Sequence, residues 1–443
     1  MFTTKYRYII FLFSLLSMHN AFSQRVLSLE EAIATALQNN YDIQLSKNDS
    51  MVLAIDYSYR NAVFLPAVNA DASRVWNNNS QKIKLADGTE RSANGIKSNN
   101  LQASLGLKWL IFDGMKMFIT RDKLDLAIEA GSEKIKAQII DKIAEITKVY
   151  FSIARQKQLI KATEVQINLN KDRATLAQYK LEIGTGAKPD VLQSKVDLNE
   201  RKAQKLQQET MAQQLKQQLL QAMNSQIKDS EFDILDSIPI EKNLNFADLT
   251  DNWENSNPYL QLAKKQIKIA ELEIKEAEAD RWPKLSFNSN YNYSRNANQK
   301  VVNQFSPLFS RNNGFNYGLS LSVPILNYFN INRQVKQNKL NVTLQNLSYD
   351  NQKSKLYLSI INAFKTYQMQ KEALALESEN IKLAEENVNI IFQSYKLAHA
   401  TLVQLREAQL SLAQANDRLI DARYNLKLAE IELHRLKGST IQY

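Results

Sequence analysis

Two stretches without glycine or proline limit the folds open to this chain. Neither residue type occurs in the 113 residues between Pro324 and Gly438, or in the 52 residues between Gly131 and Gly184. Because glycine and proline interrupt helices, these stretches predict long continuous helices. A helix over residues 115–182 would be about 100 Å long at ~1.5 Å per residue, which is too long for a compact globule.

Both stretches have coiled-coil periodicity. In the later one an apolar residue recurs every seven positions, and Ala384 and Ile391 add the three-residue step of an a/d seam. The heptad residues are Tyr367, Leu374, Ile381, Val388 and Tyr395. The same 3–4 spacing occurs in the earlier stretch at Ile135, Ile139, Ile143, Ile146, Tyr150 and Ile153.

The chain is one unit repeated twice. With Leu27 aligned to Leu244, Asn40 meets Asn257 and Pro66 meets Pro283, all at an offset of 217. Later matches keep the same order, which indicates internal duplication. We predict a first repeat over residues 24–236 and a second over 237–443.

Each repeat is predicted to contain a helix, two strands, a long helix and a shorter helix. In the first repeat we expect strands at about 67–77 and 100–112, a long helix at 115–182 and a helix at 190–224. In the second we expect strands at about 284–294 and 314–326, a long helix at 329–397 and a helix at 402–437. The fold class is therefore mainly α with a four-stranded β contribution.

Residues 1–23 have the features of a secretory signal peptide. Lys5 and Arg7 precede an apolar stretch, and Ala21 and Ser23 are small residues at positions −3 and −1 of a cleavage site before Gln24. The apolar stretch is shorter than a membrane-spanning helix of ~20 residues. We expect an exported protein that could cross a membrane only with strands, because no later run approaches that length.

The predicted strands alternate apolar with small polar residues. After Pro283, for example, Leu285 and Phe287 alternate with Ser286 and Asn288. This alternation is typical of outer-membrane barrel strands, but a water-soluble antiparallel sheet has it too. The first strand is weaker, because Arg74 interrupts its apolar side.

Aromatic residues and polar loops favour the membrane alternative. Tryptophan and tyrosine concentrate at membrane interfaces, and the candidates are Trp76, Trp109, Trp282, Tyr291, Tyr293, Phe315 and Tyr317. The segments 77–100 and 295–314 are Asn-rich and polar, and we expect them to be long external loops.

Four strands cannot close a membrane barrel, because open edges would leave backbone groups unpaired in lipid. Several chains must therefore contribute strands. Two chains would give eight strands and three would give twelve, and only the larger barrel leaves much lumen. A polar lumen continuous with a tube of helices would be a conduit.

Composition argues against other function classes. The chain has no cysteine and three histidines, and no glycine-rich loop or nucleophile–base arrangement is visible, so we expect no metal, no cofactor and no enzyme activity. The net charge of +10 could suit a nucleic-acid binder. However, basic and acidic residues are interleaved, as in Lys371-Glu372, rather than clustered.

In layout and motifs the chain resembles the TolC outer-membrane efflux protein family. The resemblance rests on the duplicated layout, on the corners at Pro66 and Pro283, and on an ordered set of short segments. These segments are Trp109–Gly114, Val323–Asn327, Tyr179–Gly184, Asp190–Leu192, Tyr395–Leu397 and Gln404–Gln409.

The resemblance implies a homotrimer in the outer membrane, with a twelve-stranded barrel, a periplasmic α-helical tunnel and a mixed α/β belt formed near residues 24–45 and 225–260. It implies the exit duct of a tripartite efflux pump or type I secretion system, which a periplasmic adaptor links to an inner-membrane transporter. A soluble periplasmic coiled-coil adaptor or structural protein is the alternative. The cargo is not readable from the sequence.

The resemblance also points to gate candidates. The tunnel-end tips should be Ile183–Val191 and Ala398–Leu405, and acidic residues there can narrow a channel. The candidates are Gly184, Asp190, Tyr395, Gln404, Arg406 and Glu407. Asp190 and Glu407 could instead be ordinary helix-end carboxylates, Tyr395 could be coiled-coil packing, and Arg406 could pair with a carboxylate.

Overall fold

The computed structural model describes residues 25–226, 232–241, 244–303, 305–327, 329–397 and 399–438. The predicted signal peptide lies outside the described residues. The strands are β1 (Arg25–Leu27), β2 (Ala67–Lys84), β3 (Glu90–Phe112), β4 (Phe232–Ile234), β5 (Lys284–Asn298) and β6 (Phe309–Ser322). The helices are α1 (Leu29–Asn39), α2 (Tyr41–Ser58), α3 (Lys116–Glu182), α4 (Lys188–Met223), α5 (Phe246–Thr250), α6 (Trp253–Ser256), α7 (Pro258–Ala279), α8 (Asn330–Lys396) and α9 (Leu402–Lys437).

In both halves of the chain short helices precede two long strands, a long helix and a shorter helix, and the last two helices match in length. Both α3 and α8 contain 67 residues, and both α4 and α9 contain 36. Local signals set several helix ends: Pro189 lies in the first turn of α4, and α9 ends at Gly438, whose φ is 80°. None of the described helices is both long and apolar enough to cross a membrane.

The chain divides into two compact units, and each unit takes residues from both halves. The first contains the described residues up to Asn48, those within Glu133–Gln261 and those from Asn351 onward. The second contains Asp49–Ser132 and the described part of Leu262–Asp350. The compact units therefore do not coincide with the two sequence repeats.

The first unit has a small parallel sheet packed on long helices. Strands β1 and β4 pair in parallel, with Val26 opposite Asp233. Buried side chains of α3, α4 and α9 pack around them, including Tyr150, Met223 and Ile431. The Tyr150 hydroxyl donates to the Leu27 carbonyl at 3.0 Å, which ties β1 to α3.

The heptad seam of α8 packs on α9. Ile381 and Val388 are buried in one cluster with Leu412 and Leu419, and Leu374, Ala384 and Ile391 pack against it. Knobs of this kind pack closely when apolar residues recur at 3–4 spacing. The periodicity thus positions one long helix against its shorter neighbour.

The second unit contains one antiparallel sheet in the order β2-β3-β5-β6. Its two edge strands are β2 and β6, and each of them pairs on one side only within the described part of the chain. All helix-connected ends lie at one end of the sheet, and the β2–β3 and β5–β6 turns lie at the other.

The expected long loops were wrong. Strands β2 and β3 continue through most of residues 77–100, with pairing up to Lys84 and Glu90, and residues 295–298 and 309–314 are also strand. Asn-rich sequence suggested loops, but backbone pairing with the neighbouring strand extends both hairpins. Strand β6 also ends at Ser322 rather than near 326, because Pro324 has no N–H to donate to a ladder.

Gly114 forms the corner between β3 and α3. Its φ is 76°, and a Cβ atom there would lie 2.7 Å from the Trp282 Cβ. Only glycine combines this left-handed backbone with such a close approach. By contrast, a Cβ atom added at Gly318 in β6 would have no other atom within 4 Å, so the need for glycine is specific to position 114.

Candidate functional site

One face of the four-stranded sheet is mostly apolar. It comprises the even-numbered residues of 68–78 in β2 and the odd-numbered residues of 97–109, 285–297 and 309–321 in β3, β5 and β6, and we call it the apolar face. Leu319 is 68% exposed and Leu321 66% exposed in the single chain. Large apolar side chains in a continuous exposed patch mark a contact surface.

The opposite face of the sheet is small and polar. Asn290 lies opposite Gly106 on one side and Asn316 on the other. Its other members include Asn69, Asp71, Ser104, Asn288, Asn292, Gly318 and Ser320. A sheet with hydrocarbon-like side chains on one face and amide or hydroxyl groups on the other can separate lipid from water.

The seven predicted interface aromatics occupy different depths of this sheet. Trp109 lies near the helix-connected end, where its indole N–H donates to the Phe64 carbonyl at 2.8 Å. Trp282 precedes β5 in a turn. Tyr291 lies opposite Phe315 and Tyr317 opposite Ser289 in central rows, and Tyr293 lies nearer the hairpin turns. Trp76 was expected near the end of a strand at about 67–77, and this was wrong because β2 continues to Lys84.

The first helical tip joins α3 to α4 through a tight turn. Gly184 has a φ of 80°, and the Gly186 N–H donates to the Lys180 carbonyl at 2.8 Å. Asp190 lies in the first turn of α4, where a carboxylate is favoured by the helix dipole.

The second tip joins α8 to α9, and Ala398 within it lies outside the described residues. Gln404 is part of a capping box: its side-chain oxygen accepts from the Thr401 N–H at 2.8 Å, and the Thr401 hydroxyl accepts from the Gln404 N–H at 3.3 Å. Glu407 is exposed and has no ion pair within the described chain. Gln404 therefore has a structural role, and the Thr401–Gln404 spacing, which is the sequence signature of a capping box, was a signal for it.

Tyr395 lies where the two tips meet. The Lys180 ammonium is 3.8 Å from the centre of its ring and donates to its carbonyl at 2.9 Å. Burial raises the pKa of the Tyr395 hydroxyl, and the nearby Asp190 carboxylate raises it further. Tyr395 is 5% exposed, so it is a packing residue of the second tip with two charged neighbours, Lys180 and Asp190, beside the first tip.

A buried polar network above the tips connects three helices. Arg173 of α3 donates to the Asp197 carboxylate of α4 and to the Gln409 side chain of α9, the latter at 3.0 Å. Arg406 lies 3.3 Å from the same carboxylate, and Gln193 donates to it at 2.7 Å. Arg406 thus has a carboxylate partner. Burial lowers the pKa of Arg173, against the opposing effect of Asp197.

This network was not predicted from the sequence, although a signal was present. The apolar seam of α3 continues toward the tip as buried polar residues at the same 3–4 spacing, at Thr163, Gln166, Asn170 and Arg173. Polar side chains at seam positions must find partners inside the bundle. Among the described residues, no group of three or more His, Asp and Glu side chains is placed to hold a metal ion.

A second heptad stripe on α8 is exposed. Each residue of this stripe lies two positions after a residue of the buried seam, which is about 200° around the helix. The members are Met369, Leu376, Leu383 and Ile390 of α8 and Leu397 directly after its end, and we call them the outer stripe. These side chains are between 56% and 69% exposed in the single chain. A regular apolar stripe of this length is the pattern of a further helix–helix contact.

Comparison with known proteins gives consistent matches along the chain. The sequence profile of the family described as "Outer membrane efflux protein" matches residues 32–225 and 249–439. The chain is 20% identical over 421 residues to the probable efflux pump outer membrane protein TtgC of Pseudomonas putida, covering 93% of this chain and 83% of that protein. It is 21% identical over 356 residues to the outer membrane protein TolC of Escherichia coli, covering 79% and 71%. The CmeC outer membrane channel of Campylobacter jejuni has the same fold, with a TM-score of 0.77 at 16% identity, covering 93% of this chain and 85% of that one.

Proposed function

The chain belongs to the outer membrane efflux protein family, and on that premise we propose that three copies form one exit duct. The family resemblance recognised in the sequence is confirmed, and with it the assignment as an outer-membrane efflux channel with a periplasmic helical extension. The soluble-adaptor alternative is not supported. The trimer, its partners and the gate residues are our proposals.

The observation that carries the proposal is a two-faced sheet with open edges. Among the residues that the structure describes, strands β2 and β6 each leave one side unpaired, and the sheet has one mostly apolar and one polar face. In lipid an unpaired backbone group costs several kcal/mol, so each edge needs a strand from another copy. We propose that β6 of one chain pairs with β2 of the next.

Three copies explain the polar face better than two. An eight-stranded barrel is just filled by its own side chains, whereas twelve strands leave a water-filled passage. Asn, Ser and Gly side chains of the polar face would then form the wall of that passage. Such a wall discriminates weakly between solutes, so the coupled transporter would select the cargo.

The outer stripe supplies a second contact between copies. Its five large apolar side chains are exposed in the single chain and follow the geometry of a coiled-coil seam. We propose that this stripe packs on a helix of the neighbouring copy, so that the helical parts also close into a ring.

Leu383→Asp should weaken the trimer, because each seam between copies would lose a buried leucine and gain a carboxylate without a partner. We expect the monomer fraction of the detergent-solubilised protein to rise at least tenfold, measured by analytical ultracentrifugation. Asn389→Asp adds the same carboxylate on another side of the helix and should leave the trimer intact. An equal monomer fraction for the two variants would contradict the proposal that the outer stripe packs on a neighbouring copy.

For the tips, we propose docking of a periplasmic adaptor that connects the duct to an inner-membrane transporter. Gly184 shapes the first tip, where Asp190 provides a carboxylate, and Glu407 provides a carboxylate beside the second tip. Gln404 is held in its cap and Arg406 faces Asp197, so an acidic ring at the second tip would rest on Glu407. Tyr395 would hold the two tips together. The protein would be a passive conduit that performs no covalent chemistry.

Deleting the gene should sensitise the cells to at least one exported toxicant, with several-fold lower inhibitory concentrations in a broad panel. Expression of the wild-type chain should restore resistance. Normal efflux and normal protein secretion in the deletion strain would contradict the assignment as an exit duct.

A further inference from the structure

We propose that a row of arginines on the apolar face binds phosphate groups of the anionic glycolipid in the outer leaflet of the outer membrane. The row consists of Arg74 on β2, Arg295 on β5 and Arg311 on β6. The inference rests on the proposed function in one respect, that the apolar face contacts lipid.

Strand register brings the three arginines into one line. Arg295 lies directly opposite Arg311 across the β5–β6 pair, and Leu101 of β3 connects Arg295 to Arg74 in the same row. No register shift interrupts these pairings between the row and the central part of the sheet. All three side chains therefore leave the sheet on the same face at the same height.

No carboxylate of this face balances the row. Over residues 68–78, 97–109, 285–297 and 309–321, the charged residues of the apolar face are Arg74, Lys97, Arg295 and Arg311, all basic. Like charges directly opposite each other on a sheet are unfavourable. Among the described residues, the side-chain acceptor of the row is neutral: the Asn99 amide oxygen lies 3.0 Å from Arg74 Nε. An external anion would relieve this repulsion.

Each guanidinium is held beside an aromatic ring. The distances from guanidinium carbon to ring centre are 5.0 Å for Arg74 and Trp76, 5.4 Å for Arg295 and Phe309, and 5.3 Å for Arg311 and Tyr293. Cation–π contacts of this kind keep the planar groups along the sheet surface. Guanidinium groups held this way are well suited to bidentate binding of phosphate.

The position of the row along the membrane normal agrees with the lipid headgroup region rather than with the hydrocarbon core. Arg295 is ten residues from Leu285, whose row marks the helix-connected end of the apolar face. Ten residues span about 34 Å along a strand, or about 26 Å across the membrane at a tilt of ~40°. The apolar band of outer-membrane barrels is ~25 Å tall, so the row lies at its outer boundary.

A binding measurement on the full-length wild-type protein tests the lipid as ligand. Native mass spectrometry in neutral detergent would compare bisphosphorylated lipid A with its dephosphorylated form. We expect about tenfold tighter binding of the phosphorylated lipid. Equal binding of the two lipids would overturn the proposal without any variant. Loss of the bound lipid at millimolar inorganic phosphate would show a site for free anions, and would also overturn it.

A charge-matched pair of variants tests the row itself. The variant R74Q/R295Q/R311Q should lose the tenfold preference, whereas K82Q/K84Q/K108Q, which removes the same charge elsewhere in the sheet, should keep it. Preference retained by the arginine variant would overturn the proposal. Trimer formation and bilayer conductance are measured for each protein. If the wild-type protein forms no trimer or does not conduct, the proposed exit duct is contradicted. If it forms a conducting trimer but shows no preference for the phosphorylated lipid, only the proposed lipid site is contradicted.

Discussion

Phe315→Arg should prevent the protein from accumulating in the outer membrane. Phe315 is 62% exposed in the single chain and lies opposite Tyr291, four residues below the arginine row in β6. That position is near the middle of the proposed membrane band, where an arginine facing lipid costs about 2–4 kcal/mol. Three copies would together lose about 6–12 kcal/mol, comparable to the whole stability of many folded proteins.

The neighbouring residue provides a matched control. Asn316→Arg introduces the same side chain one residue away on the polar face, where it would face water. We expect this variant to accumulate as wild type in outer-membrane fractions, with Phe315→Arg reduced at least tenfold on immunoblots. If both variants accumulate equally, the apolar face does not contact lipid.

Asp197→Leu should destabilise the helical tips by about 3–5 kcal/mol. The substitution leaves the Arg173 guanidinium, whose side chain is 2% exposed, without its carboxylate. Removing one partner of a buried pair has this cost because the remaining charge stays buried and uncompensated. Some backbone amides of the tips exchange hydrogen only when the tip opens locally. Their exchange rates should then rise at least a hundredfold.

Two further variants isolate the buried charge as the cause. Arg173→Met combined with Asp197→Leu removes both charges, and we expect it to be more stable than Asp197→Leu alone. Asp421→Leu breaks a half-exposed pair, in which the Asp421 carboxylate lies 2.6 Å from Arg155 Nε, and should cost less than about 1 kcal/mol. A double variant as unstable as Asp197→Leu alone would contradict this account.

Helix positions were the most predictable part of the fold. The long helices were expected at 115–182 and 329–397, and the structure places them at Lys116–Glu182 and Asn330–Lys396. Glycine and proline mark helix ends locally, and heptad spacing depends only on residues close in sequence. The strands were predicted less well, since asparagine-rich stretches such as 77–84 became strand only through their pairing partners.

The candidate site was predictable only in part. Family resemblance pointed to the tips, and Arg406 was recognised as a possible partner of a carboxylate. The resemblance did not show that Gln404 caps α9, although the Thr401–Gln404 spacing is a local sign of a capping box. That Arg173 and Asp197 meet could not be predicted, because those two residues are 24 positions apart and belong to different helices. The alignment of Arg74 with Arg295 and Arg311 likewise depends on the register of four strands.

The sequence by itself determined the long helices, the two-faced alternation of the strands and the family. These properties follow from local propensity and from periodicities of 3.5 and 2 residues. Only the tertiary structure decided how far the hairpins extend, which charges are buried together and which basic residues share a row. Such features depend on contacts between residues distant in the chain, and a shift of one residue in strand register would move every side chain to the other face.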